Sequence, residues 1–405
     1  MRRGAAASKE VCLDDDDDSC DVGDFQDVSK GILNRHLESL FEKSASVREE
    51  SLAAIVTALN HKPQHEFVEE NFVTLLYQCL NFTKKGSAQV LLLASTAVGL
   101  MAMSTRCADN ERQVYKDSIP VLSKLLKTKS NNSQILHCLA MVAFFTADNS
   151  EEIEEAMLLI WNFINPASQI DSSKHPPAVL ATAISAWSLL LSTLDGRRIS
   201  HKYWQRAISY FSDQLDNKDK EICVAAGVAL ALIFETNCLH KFTTHESVIS
   251  EKQEQKNKII DKLRRQSYVL SDVVNYFEEG GRPNKHVTIG EHEITLTTWS
   301  QMIQLNCMRL FLGEAGFINH MMGNENFHDL FELIPKEKHP PADMSYIPER
   351  EEVSVRVFLP GVLRSKPIST ARPQLLPTKM TKSCLSKGRT KLLNKQRESS
   401  KVVSS

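Results

Sequence analysis

The stretch GSAQVLLLASTAVGLMAM, residues 86–103, carries no charge and sets Ala, Ser and Gly among Leu, Val and Met at helical spacing. A helix of that composition is apolar on every side, so it must be buried over most of its surface, and its small residues let neighbouring helices approach closely. The same kind of segment returns in SASVREESLAAIVTALN (44–60), NSQILHCLAMVAFFTA (132–147), PPAVLATAISAWSLLLSTL (176–194) and DKEICVAAGVALALIFE (219–235). The starts, near Val47, Ser87, Ser133, Ala178 and Glu221, keep an interval of roughly 45 residues, which is that of two-helix armadillo and HEAT repeats. One such unit cannot cover its own apolar face. Stacked units share a continuous core and present a broad surface suited to another macromolecule. The expected fold is therefore all-α: an armadillo/HEAT-like helical-repeat solenoid with a small C-terminal helical block.

Between these inner helices lie amphipathic segments with apolar residues at i, i+3, i+4 and i+7. His65 to Phe82 is one, with Phe67, Val68, Phe72, Leu75, Leu76, Cys79 and Leu80 on its buried side. Further outer helices are expected over Asp109 to Thr128, Ser150 to Ile164 and His201 to Leu215, with Pro120 kinking or restarting the first of them. Ser44, Asp109 and Ser150 stand where caps are needed. Ala94, Val98, Ala140, Ala183, Ala226 and Leu230 are expected in the core. Ser247 to Glu279 is polar early and apolar late, and its spacing predicts a helix longer than the repeat helices. The alternation from Val287 to Leu296 around Gly290 predicts a short hairpin or extended link.

Composition excludes several classes. With 405 residues, 42% hydrophobic and 24% charged, the chain buries a sizeable core yet holds no apolar run as long as a membrane span. Arg2 and Arg3 are followed by acids, not by an apolar segment, so no secretory signal is expected and the chain is expected to stay inside the cell. The nine cysteines form no CxxC pair, and several fall on apolar helix faces as small hydrophobes. Cys238, His240 and His245 match no zinc spacing. No phosphate loop, GxSxG elbow or HExxH helix is present, and His137 reads as a core or rim residue. The expectation is a non-enzyme with no catalytic residue, no metal, no cofactor and no small-molecule substrate.

Charge is segregated. Glu10, Asp14 to Asp18, Asp21, Asp24 and Asp27 form an acidic arm, while residues 361–405 hold eleven Lys and Arg against the single acid Glu398. Without that tail the net charge of −2 becomes about −12. A basic tail without interleaved aromatics suits phosphate backbones more than base readout. It equally suits a solvated segment or one folded against the acidic arm. Lys387, Arg389, Lys391, Lys395 and Arg397 fall in one short helix-compatible stretch and are the RNA-contact candidates. The expected organisation is an acidic arm (1–24), a repeat domain (25–280), a helical block (281–335) and a basic tail (336–405).

The repeat region together with TTWSQMIQLNCMRLFLGEAGFINHMMGNENFHDLF, residues 297–331, resembles the interferon-related developmental regulator family. The resemblance covers most of the chain and rests on Trp299 opening a helix, Leu312 with Gly313, His320, Asn324 with Glu325, and Phe331. KGRTKLLNKQR, residues 387–397, is similar to the basic terminal helix of relatives. Asn326 and Phe327 stand where two leucines are expected, and GEAG replaces a tighter glycine turn. On residue chemistry the block is expected to cap the open end of the solenoid through Trp299, Ile303, Leu310 and Phe311. The resemblance implies a non-catalytic regulator that binds protein partners through the solenoid and RNA or ribosomes through its tail to repress translation. The alternative it implies is a transcriptional co-regulator working through protein contacts in the nucleus. It implies cytoplasmic and nuclear localisation, and no membrane partner is expected.

Overall fold

A computed structural model of the chain describes residues 22–333 apart from 129–132, 166–174, 195–200, 237–245, 267 and 291. The tail candidates Lys387 to Arg397, most of the acidic arm and the Cys238, His240, His245 group lie outside the described residues. The chain divides into two units, Met1–Asn324 and Glu325–Ser405.

Among the described residues, the first unit consists of helices, their connections and one hairpin. Its repeat region runs α1 (Val22–Ser39), α2 (Ala45–His61), α3 (His65–Glu70), α4 (Phe72–Lys85), α5 (Ala88–Ser104) and α6 (Ala108–Thr128). It continues through α7 (Ser133–Thr146), α8 (Ser150–Ile164), α9 (Pro177–Leu191), α10 (His201–Gln214) and α11 (Lys220–Glu235). Then come α12 (Glu246–Arg265), α13 (Ser271–Glu279), β1 (Lys285–Ile289), β2 (His292–Leu296) and α14 (Trp299–Gly323). The described part of the second unit is the six-residue α15 (Glu325–Leu330), after which Phe331 turns its ring edge to face on Phe327.

Helices α2, α5, α7, α9 and α11 pack in that order as one inner ladder, and they are the five segments that repeat in the sequence. Each carries an outer partner: α1 on α2, α4 on α5, α6 on α7, α8 on α9 and α10 on α11. The division follows composition. Outer helices need one apolar stripe, whereas α5 is buried continuously from Ala97 to Ser104 and therefore has no solvent face there. Ala94, Val98, Ala140, Ala183, Ala226 and Leu230 all lie in the core. Between α8, α9 and α10 the rings of Trp161, Trp187 and Phe211 meet at 5.1–6.1 Å, a range typical of aromatic pairs.

Local expectations hold with four adjustments. Ser44 caps α2, accepting from the Val47 amide, but Ser150 is already helical and Asn149 caps α8 by accepting from the Glu152 amide at 2.9 Å. Asp109 lies in the first turn of α6. The amides just before that turn, Arg106 and Cys107, donate instead to Glu69 Oε1 at 2.8 and 3.1 Å. The outer helix expected across His65 to Phe82 breaks at Asn71, whose side chain turns back to donate to Phe67 O. Pro120, by contrast, sits inside a single helix.

The fourth adjustment concerns Ser247 to Glu279, where two helices replace the one expected. The chain tightens after Arg265 into three-residue turns (Gln266 N to Leu263 O, Val269 N to Gln266 O), which swings Leu270 into the core. Leu270 lands on Gly227 of α11, where even a Cβ would stand 2.9 Å from its Cδ2. That docking, not the helical period, sets the break. The hairpin expected around Gly290 is present, with Val287 opposite Ile294 and Gly290 at φ +59°.

Candidate functional site

Within the first unit, the helix that Trp299 opens does not close an end of the ladder. Instead α14 lies across the inner helices, packing on α9 and α11 and again on α2. This replaces the capping role expected for Trp299, Ile303, Leu310 and Phe311, of which Leu310 is largely exposed. The physical reason is that the inner helices are apolar on a second side as well, and α14 supplies the cover.

Its first half is anchored by α11. Thr298 caps α14 through a bond from the Gln301 amide, and the amides of Trp299 and Ser300 donate to the two carboxylate oxygens of Glu235 at 3.0 and 3.1 Å. First-turn amides have no partner inside their own helix, so a carboxylate here satisfies them and meets the positive end of the helix dipole. Burial raises the Glu235 carboxyl above the usual range, and these two amides pull against that rise. Trp299 is 2% exposed and sits edge to face with Tyr276 at 5.8 Å. Further along, Gln304 Nε2 donates to Ser192 Oγ at 3.0 Å, which ties α14 to the end of α9.

The second half turns onto α2 and α5. Gly313, at φ +71° and ψ 172°, breaks α14 in a conformation essentially restricted to glycine. Just before it, Phe311 presses on Gly99 of α5, where a Cβ would come within 2.7 Å of its ring. Just after it, Gly316 meets the α2 backbone, with room for no Cβ against Asn60 O. The GEAG sequence is thus a break followed by a contact. Asn60 Nδ2 donates to Leu312 O at 3.0 Å across the break.

His320 and Asn324 complete the attachment. His320 Nε2 stands 3.0 Å from Leu59 O, and Asn324 Nδ2 lies 3.2 Å from His320 Nδ1 and 3.1 Å from Met103 O. A carbonyl only accepts and an amide nitrogen only donates, so the ring is neutral with its proton on Nε2. Burial accordingly holds the His320 pKa down at about 4. The residues that carry the family resemblance therefore meet at one interface: Trp299, Leu312, Gly313, His320 and Asn324 all attach α14 to the ladder. Glu325 begins α15 and Phe331 follows it. Glu235 and Asn60 were not legible as their partners. The only trace of them in sequence is a polar residue closing each apolar run, as in ALALIFE and VTALN.

Other displaced titratable groups are buried or half-buried, His137 and Glu111 being of the second kind. Burial lowers His137 to about 4 and raises the Cys79 and Cys307 thiols to about 12, which keeps those thiols protonated and unreactive at neutral pH. Glu111 is raised to about 7, by burial first and then by Glu69 and Asp148. Among the described residues no three ligating side chains gather for a metal, and no helix is long and apolar enough to cross a membrane. The interface holds two parts of a chain together; Glu235, Asn60, Gln304, His320 and Asn324 bond across it, while the Trp299 indole nitrogen is buried without a hydrogen-bond partner.

A family model described as interferon-related developmental regulator matches residues 5–271. The mouse protein named interferon-related developmental regulator 2 is 24% identical over 354 residues, spanning 82% of this chain and 78% of its own length. Among solved structures, a designed armadillo repeat protein in complex with the peptide (KR)4 is 15% identical and aligns with 57% of this chain and 98% of its own, at a TM-score of 0.38. An engineered protein is also 15% identical, covering 57% of this chain and 97% of its own, at a TM-score of 0.37.

Proposed function

The chain belongs to the interferon-related developmental regulator family, and from that premise we propose that it is a non-catalytic regulatory scaffold whose basic tail contacts RNA phosphate, on the ribosome, to repress translation. The observation that carries this reading is charge segregation: ten net positive charges in residues 361–405 on a chain otherwise near −12. A scaffold that acidic repels polyanions through its body, so contact concentrates in the tail. Lys387, Arg389, Lys391, Lys395 and Arg397 are its phosphate contacts in this reading. Protein partners take the repeat surface, and the working compartments are cytoplasm and nucleus.

Each engaged phosphate releases condensed counterion, so full use of five cations on single-stranded RNA gives a log–log salt slope of about −3.5 with little sequence preference. The test is cosedimentation of the purified chain with ribosomes at physiological salt, with the five residues reversed to Glu. The reversal is expected to abolish cosedimentation while the helical circular-dichroism signal is unchanged. Cosedimentation that survives it would remove RNA contact from the tail and favour co-regulation of transcription through the repeat surface.

A further inference from the structure

With α14 covering the inner ladder, one open groove among the described residues lies in the outer layer. It lies between α4 and α6, has a volume of ≈ 570 Å³, and is floored by Phe72, Leu76 and Leu80. One wall is apolar: Val73 and Tyr77, one turn apart on α4, are 76% and 62% exposed. The other wall is Asp109, Gln113 and Asp117, each four residues after the last and all exposed on one face of α6. Gln113 donates to Asp117, while neither aspartate has a cationic partner among the described residues. Lys84 stands on the α4 side of the groove.

An exposed valine and tyrosine beside an apolar floor is surface that water solvates poorly, and two exposed aspartates opposite it, against the single cation Lys84, favour a positively charged occupant. Asp109 and Asp117 are eight residues apart, about 12 Å along the helix axis. A helix laid in the groove matches that distance with two basic side chains two turns apart. We propose that the α4–α6 groove docks an amphipathic helix of a partner protein, its apolar face against Val73, Tyr77 and Leu76 and two Lys or Arg against Asp109 and Asp117. This gives the protein-contact half of the scaffold reading a place. It involves no RNA, so it stands or falls separately from the tail.

The probe is a pair of fluorescent synthetic helical peptides of about 18 residues with Leu at i, i+3, i+4 and i+7. They are identical except for two flanking Lys in one and two Glu in the other, and both are titrated into the full chain by anisotropy. The Lys peptide is expected to bind at least roughly tenfold more tightly than the Glu peptide. Val73→Ala with Tyr77→Ala is expected to weaken it by roughly tenfold or more, as losing apolar anchors does. Asp109→Lys with Asp117→Lys is expected to invert the preference. Leu158→Ala, an exposed apolar position on α8, is expected to leave binding unchanged. The substituted groove residues are all exposed, so thermal melts of the variants should match the parent. Equal binding of both peptides, or binding indifferent to Val73 and Tyr77, would overturn the proposal. So would concentration-dependent self-association in sedimentation that the Val73, Tyr77 variant abolishes, since the occupant would then be a second copy of the chain.

Discussion

Replacing Gly316 by Ala is the most direct test of whether α14 is seated on the ladder as described. In an isolated helix the change is favourable by about 1 kcal/mol, because alanine is the better helix former. In place, the new Cβ falls 2.5 Å from Asn60 O and 3.3 Å from Asn60 Nδ2. The first of these is a backbone atom and cannot rotate away, so α14 must lift from α2. Lifting breaks the bonds from Asn60 to Leu312 O and from His320 to Leu59 O, each costing about 1–3 kcal/mol where its groups stay buried. Against the helix-former gain, the net cost is about 1–5 kcal/mol, which converts to roughly 5- to 5000-fold faster exchange. Hydrogen exchange read by mass spectrometry should show that acceleration for the amides of residues 314–323 and not for α7. Gly323→Ala serves as control, since its Cβ would stand 3.4 Å from Pro63 Cγ and only grazes its neighbour. Unchanged exchange in the Gly316→Ala protein would refute the seating of α14 on α2, and equal acceleration in α7 would refute the claim that the effect is local.

Two further outcomes follow from burial. His320 and His137 are both held at about 4, below the ordinary 6.5, so the unfolded chain binds protons that the folded chain refuses. The stability this confers is whole above pH 6.5 and drains away as pH falls toward 4, while Glu111, raised to about 7, loses its contribution in the opposite sense as pH rises from 4.5 through 7. Urea midpoints taken from pH 4 to 7 should therefore show a shallower dependence in His320→Gln, which keeps a donor but does not titrate, and an identical dependence would sink the assignment. On the inner helix α11, Ala226→Glu places a charge at a fully buried position and should yield insoluble or unfolded protein; a soluble variant with the parent melting temperature would contradict the placement of that face.

The inner ladder was legible because its signal is local. Small and apolar residues on all sides of a helix leave burial as the only outcome, and the recurrence of that composition fixes the stacking order. The seat of α14 was not legible, because an apolar helix face looks the same whether it covers the end of a stack or its side. What distinguishes the two is Asn60, 252 residues from the carbonyl it meets, and Glu235, 64 residues from Trp299. In sequence each reads as an ordinary polar helix end. The break at Gln266 to Leu270 failed for a related reason: the apolar period runs on through it, and only the space above Gly227 draws Leu270 inward. The α4–α6 groove was half visible. The outer-helix stripe identified its floor, but Val73 and Tyr77 lie off that stripe, and whether α6 would turn Asp109 and Asp117 toward them is a matter of helix rotation that composition does not encode.

A ladder whose inner side is already occupied differs in kind from one that leaves it open for a ligand. Any partner seeking that side competes with an occupant held by Glu235, Asn60, His320 and Asn324 and by the burial of Trp299 and Phe311. The two rings alone contribute about 1.5–3 kcal/mol each. A competitor shifts α14 only by the difference between its affinities for the open and covered ladder, and moving even from one part in a hundred to ninety-nine takes about 5.5 kcal/mol. A ligand of the outer groove meets no such toll, because Val73, Tyr77, Asp109 and Asp117 already face water. Trp299, His320 and Asn324 thus bear on the proposed docking indirectly: by holding α14 down on the inner ladder, they leave the α4–α6 groove as the surface that a partner helix reaches without displacing part of the chain.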